Sequence, residues 1–352
     1  MKRKLKHLLK RRKSVESPGN SDSNDKVPRI TNDTVAAHRE EVLGRARKYI
    51  YPLQHSKHRI VVISSTLFAL VVIGFFTYCT LELYRFQTTS TFMYRVTQII
   101  PFPIAKAGSK YVSYEDYLFQ LRHYMHYYQT QEQVDFNSSD GKLRLIAFKK
   151  QAMQQVINDA YVKELASLHN VSVSDREIND EITIVRSQNR LGNSEKVFED
   201  VLKEYWGWSV NDFRRSLKQE ILAQKVVSVL DTATIGRAQA ALSQLKAGAD
   251  FATVAKQYSD DVVTKDNAGM YGGLISASNR DLPAQVTTAL FKLQPGQISD
   301  IINTGFTLEI VKNIENSGDK INAAHIVFNF KDVTYYINQL TSKQSTKKYI
   351  NE

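Results

Sequence analysis

Cysteine is all but missing from this 352-residue chain. The single one, Cys79, excludes a disulfide within the chain, so whatever folds must hold by its cores alone. Seven prolines and 15 glycines are too few for a low-complexity or collagenous chain, and the composition is that of a globular protein with room for two ordinary domains. No His/Cys cluster has metal-ligand spacing and no glycine-rich loop has phosphate-binding form, so neither a metal nor a cofactor is expected. Charge of one sign is also scarce over most of the chain. Residues 1–59 carry 16 Lys and Arg against 6 Asp and Glu, while residues 60–352 carry 31 against 30. The net charge of +11 therefore belongs to a tail, and no nucleic-acid partner is expected, because such a domain clusters its positive charge on a folded face.

Charge disappears altogether from Ile60 to Leu81, IVVISSTLFALVVIGFFTYCTL. At 1.5 Å rise per residue such a run spans a hydrocarbon core of roughly 30 Å, which predicts a transmembrane helix over residues 60–82. A cleaved signal peptide has an apolar region of about 7–15 residues near the N-terminus, and this run begins too late. Cys79 follows Phe76, Thr77 and Tyr78 rather than small residues, so it is not read as a lipid attachment site. Lys57, Arg59 and the run MKRKLKHLLKRRK precede the span, and only Arg85 and Arg95 follow it closely. The positive-inside rule then predicts a single-pass protein with residues 1–59 in the cytoplasm and the rest outside the cell membrane.

Beyond the span, PFP at 101–103 and AGSK at 107–110 read as a linker over residues 83–110. A helical region follows over 111–230. Leu145, Phe148, Met153, Val156, Ile157, Tyr161 and Leu165 recur at three- and four-residue steps, giving one apolar face. Ser174 with Glu177, and Ser209 with Asp212, each have the spacing of a box that caps a helix start. Tyr111, Tyr114, Tyr117, Tyr124, Tyr127 and Tyr128 form an aromatic stripe that either covers the region's own core or touches other chains.

Two resemblances rest on the helical region and on the residues C-terminal to it. AFKKQAMQQVINDAYVKELASLHNVSVSDREINDEI and VFEDVLKEYWGWSVNDFRRSLKQEILAQKVV resemble the helical chaperone domain of SurA-type and PrsA-type foldases. AQAALSQLKAGADFATVAKQYSDD and LFKLQPGQISDIINTGF are similar to the parvulin family of peptidylprolyl isomerases, with LKAGADF, the YS-x-D loop and L-x-x-G-x-I-S in family order. Together they cover roughly residues 115–330. The parvulin resemblance implies a fold with a central antiparallel sheet over 231–330, and catalysis of X-Pro isomerisation without a nucleophile or metal.

Carried over by position, that family's polar groups fall on Asp261 after the YS turn and Thr304 on the last strand, with Glu309 where a second histidine is usual. Leu282 and Val286 take the places of the proline cup, and Met270 and Tyr271 stand in AGMYGG, where the family writes GGDLG. The family's first strand, which carries a histidine, is missing before LSQLKAG; INAAHIVFNF at 321–330 looks like it, and His325 is the sole histidine after His169. The first strand is therefore expected from the C-terminal end, in a hairpin centred near Ser317 that sets Glu309 opposite His325. Residues 331–352 are read as a helix and tail without chemistry.

The expected class is thus α+β: a transmembrane helix, an all-α SurA-N-like chaperone domain, and a parvulin-like sheet with flanking helices. The expected role is a membrane-anchored extracytoplasmic foldase acting on unfolded, proline-containing exported polypeptides. The alternative is a scaffold or chaperone on the same fold with the isomerase activity lost, since Glu309 and Val286 depart from the family pattern.

Overall fold

A computed structural model describes residues 30–50, 53–187 and 194–351. It divides into two units, Met1–Phe76 and Thr77–Glu352. The basic run at the N-terminus lies outside the described residues. In the first unit α1 (Asn32–Ile50) is polar and exposed, and α2 (Leu53–Thr80) enters as an apolar helix. The stretch His58–Arg85, whose most apolar 18 residues have a mean hydropathy of 2.5, is the one helix among the described residues long and apolar enough to cross a membrane. Ile63 and Phe68 are 66% and 71% exposed, as expected of a helix that is apolar on every side and has no protein to bury it.

In the second unit the chain folds immediately. Cys79 and Leu83 are fully buried, so the apolar run gives way to a protein core before its expected end at residue 82. Residues 83–110 are not a linker: α3 (Thr91–Ile99), β1 (Pro103–Ala107) and β2 (Lys110–Ser113) bury Met93, Ile104 and Ala107. The signals that suggest a linker have a different use. Pro103 opens a strand, where proline forfeits no interior ladder bond, and Gly108 takes φ +55° in the β1–β2 turn.

The helical region comprises α4 (Tyr114–Thr130), α5 (Ser139–Leu168), α6 (Asp175–Ser187), α7 (Glu195–Val201) and α8 (Val210–Leu230). The apolar face of α5 packs Met153, Val156, Ile157 and Tyr161 against Tyr114, Tyr117, Leu118 and Leu121 of α4, all buried. Of the tyrosine stripe, Tyr114 and Tyr117 are core and Tyr124 and Tyr128 pack against it, while Tyr111 and Tyr127 stay exposed. Both capping boxes form: Ser174 N donates to Glu177 Oε2 at 2.8 Å and Glu177 N to Ser174 Oγ at 3.3 Å, and Ser209 and Asp212 exchange the same pair of bonds.

The parvulin-like part begins with α9 (Thr232–Lys246) and α10 (Phe251–Tyr258). It continues through β3 (Ile275–Ser276), α11 (Ala284–Leu290), β4 (Ile302–Asn303), β5 (Thr307–Ser317) and β6 (Lys320–Asn329). The antiparallel sheet has the order β3-β6-β5-β4, so β6, the last of these strands in sequence, lies at its centre, as expected for a first strand supplied from the C-terminal end. Successive side chains leave a strand on opposite faces. Leu308, Ile310, Ile326 and Phe328 meet α9 and α10 on one face, while Val311, Ile321 and Ala323 meet Val286 and Leu290 of α11 on the other.

The hairpin register differs from expectation. The turn is Gly318–Asp319, with Ser317 paired to Lys320, and a bulge between Asn313 and Glu315 shifts the pairs beyond it. His325 consequently lies opposite Val311, and Glu309 opposite Val327. The offset is two residues, which preserves parity, so Glu309 and His325 share a face as diagonal neighbours rather than direct partners.

After β6 the chain returns to the helical region instead of fraying. α12 (Val333–Thr341) buries Tyr336 and Ile337 there, and β7 (Thr346–Lys348) pairs with β1 in a sheet ordered β2-β1-β7. The parvulin-like part is therefore joined to the helical region by two crossings, α8 to α9 and β6 to α12. Asp231, 1% exposed at the first crossing, accepts from Thr234 N at 3.3 Å and from Lys331 N of the second crossing at 2.9 Å.

Candidate isomerase site

The turn after α10 is clipped onto β6 by its backbone. Asp260 N donates to Val327 O at 2.7 Å, and Ser259 Oγ accepts from Val327 N at 3.1 Å. This places Asp261 at the edge of β6. Its Oδ1 accepts from Val263 N at 3.0 Å, the side-chain turn typical of aspartate in a loop, and its Oδ2 accepts from Thr264 Oγ1 at 2.6 Å. The same Oδ2 lies 3.0 Å from His325 Nε2, and Thr264 Oγ1 lies 3.1 Å from that nitrogen. Burial acts to raise the Asp261 carboxyl, but the Thr264 hydroxyl, the Val263 amide and His325 outweigh it, so it sits below the usual carboxylate range.

On the other side of the imidazole, Glu309 Oε2 lies 3.5 Å from His325 Nδ1. The two side chains are only 8% and 11% exposed. Thr307 Oγ1 donates to Glu309 Oε1 at 3.2 Å, and Thr304 Oγ1 lies 2.8 Å from Thr307 Oγ1. A chain of polar side chains thus runs Thr304, Thr307, Glu309, His325, Asp261 and Thr264. Thr304 reaches the histidine through two intermediaries and otherwise closes the β4–β5 turn, accepting from Thr307 N at 3.0 Å.

Gly269 fixes the histidine's backbone. His325 N donates to Gly269 O at 2.8 Å, and a Cβ on Gly269 would stand 2.3 Å from His325 O. Two residues on, the Tyr271 ring lies against the imidazole with centroids 4.1 Å apart. Burial, reinforced by Glu309, pushes its phenol far above the usual tyrosine range.

The residues expected to form a proline cup divide. Tyr271 and Leu282 are partly buried beside Val286, which is wholly buried in the core beneath α11. Met270 packs instead on the α9/α10 face and bridges Ala324, away from the histidine. Sequence reasoning does not single out Thr264 or Thr307. Thr307 is two residues from Glu309 on one strand and so on its face, a signal that is present in the sequence; Thr264 follows Asp261 by one loop turn and announces itself only through the fold. Among the described residues no three His, Cys, Asp or Glu side chains are arranged to hold a metal ion.

Beside Glu309, Thr304 and Thr307 opens a cleft of about 1000 Å³ whose far wall is made by α6 and α8. A single chain therefore combines a helical module with a parvulin-like sheet that carries a His/Asp/Glu cluster, and the comparisons with known proteins agree. Residues 223–315 match the PPIC-type PPIASE domain, and residues 54–227 match the SurA-like N-terminal domain. The first match ends within β5, so it leaves out β6, the central strand that bears His325.

The chain is 25% identical over 192 residues to the foldase protein PrsA of Caldanaerobacter subterraneus subsp. tengcongensis, covering 49% of this chain and 59% of that one. It is 24% identical over 250 residues to the chaperone SurA of Methylobacillus flagellatus, covering 56% and 55%. The matches thus span less than two thirds of these relatives. A crystal structure of PrsA from Bacillus anthracis aligns at 20% identity over 54% of this chain and 86% of its own, with a TM-score of 0.18, too loose a superposition to bear on the fold. The chain is thus similar to parvulin-type foldases in two regions, residues 54–227 and 223–315.

Proposed function

We propose that the protein is a membrane-anchored extracytoplasmic foldase whose parvulin-like domain accelerates cis-trans isomerisation of X-Pro bonds in exported polypeptides. The apolar stretch His58–Arg85 would be the anchor, with the basic tail in the cytoplasm. The prolyl bond resists rotation by about 18–20 kcal/mol because its amide resonance must be broken. A protein accelerates the reaction by binding the twisted amide better than the planar one. The observation that carries this reading is the arrival of His325, on a strand from the far end of the chain, 3.0 Å from Asp261 and 3.5 Å from Glu309. In this reading Asp261 and Thr264 hold the imidazole edge, Glu309 polarises it from the other side, and Leu282 with Tyr271 supplies the apolar contact for the proline ring.

The test is acceleration of isomerisation of a proline-containing peptide by the full-length protein in detergent, beside His325→Ala and Asp261→Ala. The expected result is acceleration over buffer that falls about 10-fold or more in His325→Ala, the scale of a positioned catalytic group. Acceleration unaffected by both changes would reject the site. A second reading, a client-binding scaffold without isomerase activity, is favoured by Tyr271, whose ring covers the imidazole at 4.1 Å. No acceleration by the wild-type protein would select it.

A further inference from the structure

The cleft beside Glu309 is bounded by charge of one sign. α6 and α8 contribute Glu177, Asp180, Glu181 and Glu220, and the parvulin-like side adds Asp281 next to Glu309 itself. The one lysine that lines it, Lys225, is held by Glu177. Asp180 makes only a 3.7 Å contact with Arg176, on an exposed surface. Glu181 and Glu220 have no cationic partner among the described residues. Glu181 is partly buried and Glu220 exposed, burial raises both carboxyls, and Glu181 raises Glu220 further, so the two repel each other across the wall. A cation placed beside them would relieve that repulsion.

Acidic side chains on a convex surface would be an ordinary solvated face. These line a concave space of about 1000 Å³, and the same space reaches Thr304 and Glu309 of the candidate isomerase site. Trp206, Phe213 and Ile221 lie among them and offer apolar surface to the methylene stem of a lysine or arginine, and ring faces to its head group. Phe306, 64% exposed, stands on the opposite side of the opening. The lining thus has apolar surface to hold an extended chain, a charge pattern to sort such chains, and an end at Thr304 and Glu309, the latter 3.5 Å from His325.

We propose that this cleft is the path of the client segment and that Glu181 and Glu220 make the protein selective for clients carrying lysine or arginine near the proline. The proposal rests on the isomerase reading only for which bond is turned over; the selection of basic segments is a property of the helical wall.

Full-length protein in nonionic detergent is presented with two labelled peptides of equal length, each holding one proline flanked by lysines or by glutamates. Binding is read by fluorescence anisotropy, and isomerisation is measured on the same peptides. The lysine peptide should bind about tenfold more tightly at low salt, with the ratio shrinking as salt is raised. In the Glu181→Gln/Glu220→Gln variant the ratio should fall to within about twofold, and in Glu181→Lys/Glu220→Lys it should invert, an outcome that damaged folding does not produce. Equal binding of both peptides by the wild type, or a preference for lysine that survives the charge reversal, overturns the proposal. Charge-selective binding without isomerisation of any peptide would remove the isomerase reading and leave this one standing, whereas isomerisation indifferent to charge would do the reverse.

Discussion

Replacing Gly269 with alanine tests how the histidine is held. Gly269 has φ +74°, a conformation that costs an L-residue with a side chain roughly 1–2 kcal/mol. The added Cβ would meet His325 O at 2.3 Å, a backbone atom in a central strand that has no freedom to retreat. Relief requires the loop to lift from β6, which forfeits the His325 N to Gly269 O bond, worth about 1 kcal/mol net. The sum is about 2–3 kcal/mol. Gly272 is the internal control, because its φ is +73° but nothing lies within 4 Å of its Cβ position, so Gly272→Ala should cost only the conformational part. Thermal unfolding of the full-length protein in detergent should show Gly269→Ala lowered by about 4–12 °C and Gly272→Ala by about 2–8 °C, the first always the larger, at about 2–4 °C per kcal/mol for domains of this size. Equal losses in the two variants would mean that the close approach of Gly269 to β6 does not constrain His325.

Two further outcomes are expected from the same geometry. The Asp261 carboxyl titrates below its unfolded value, so it contributes stability that is present above about pH 4 and is lost as the pH falls through its folded-state value. The difference in melting temperature between wild type and Asp261→Asn should therefore be largest near neutrality and vanish at the acid end of a pH series; a difference that grows on acidification would contradict the hydrogen bonding described. Deleting residues 343–352 should destabilise the helical region by several kcal/mol, because it removes β7, the 2.8 Å contact of Tyr161 Oη with Thr346 Oγ1 and the buried Ile350. Unchanged melting after that deletion would make the C-terminal segment the tail that its sequence suggests.

The features legible in the sequence are those with a local cause. The 22 uncharged residues, the two capping boxes and the apolar face of α5 each depend on neighbours a few positions apart, and each is present. The strand carrying His325 is also legible, because AAHIVF resembles the family's first strand and comes after a turn-rich NSGDK. Its register is not, since one bulged residue near Ile314 moves every pair beyond it and leaves no compositional trace. That one-residue shift reverses the parity the Gly318–Asp319 turn alone would set, which is why Glu309 and His325 meet on one face. Residues 83–110 mislead because proline and glycine mark strand ends and turns as readily as linkers; the burial of Met93 and Ile104 depends on α4 and α5, which lie further along the chain. Met270 looks like a site residue beside Tyr271, yet adjacent residues on an extended backbone point to opposite sides.

The two crossings tied together at Asp231 bear on how the molecule moves. A lobe on one tether swivels in any direction, but one suspended from two adjacent tethers pinned by a shared carboxylate turns mainly about the line through them. Opening and closing of the space between α8 and the β4–β5 turn is then the soft motion, and twisting is the stiff one. A chain held in that space would be gripped as the hinge closes and let go as it opens, without being wrung sideways.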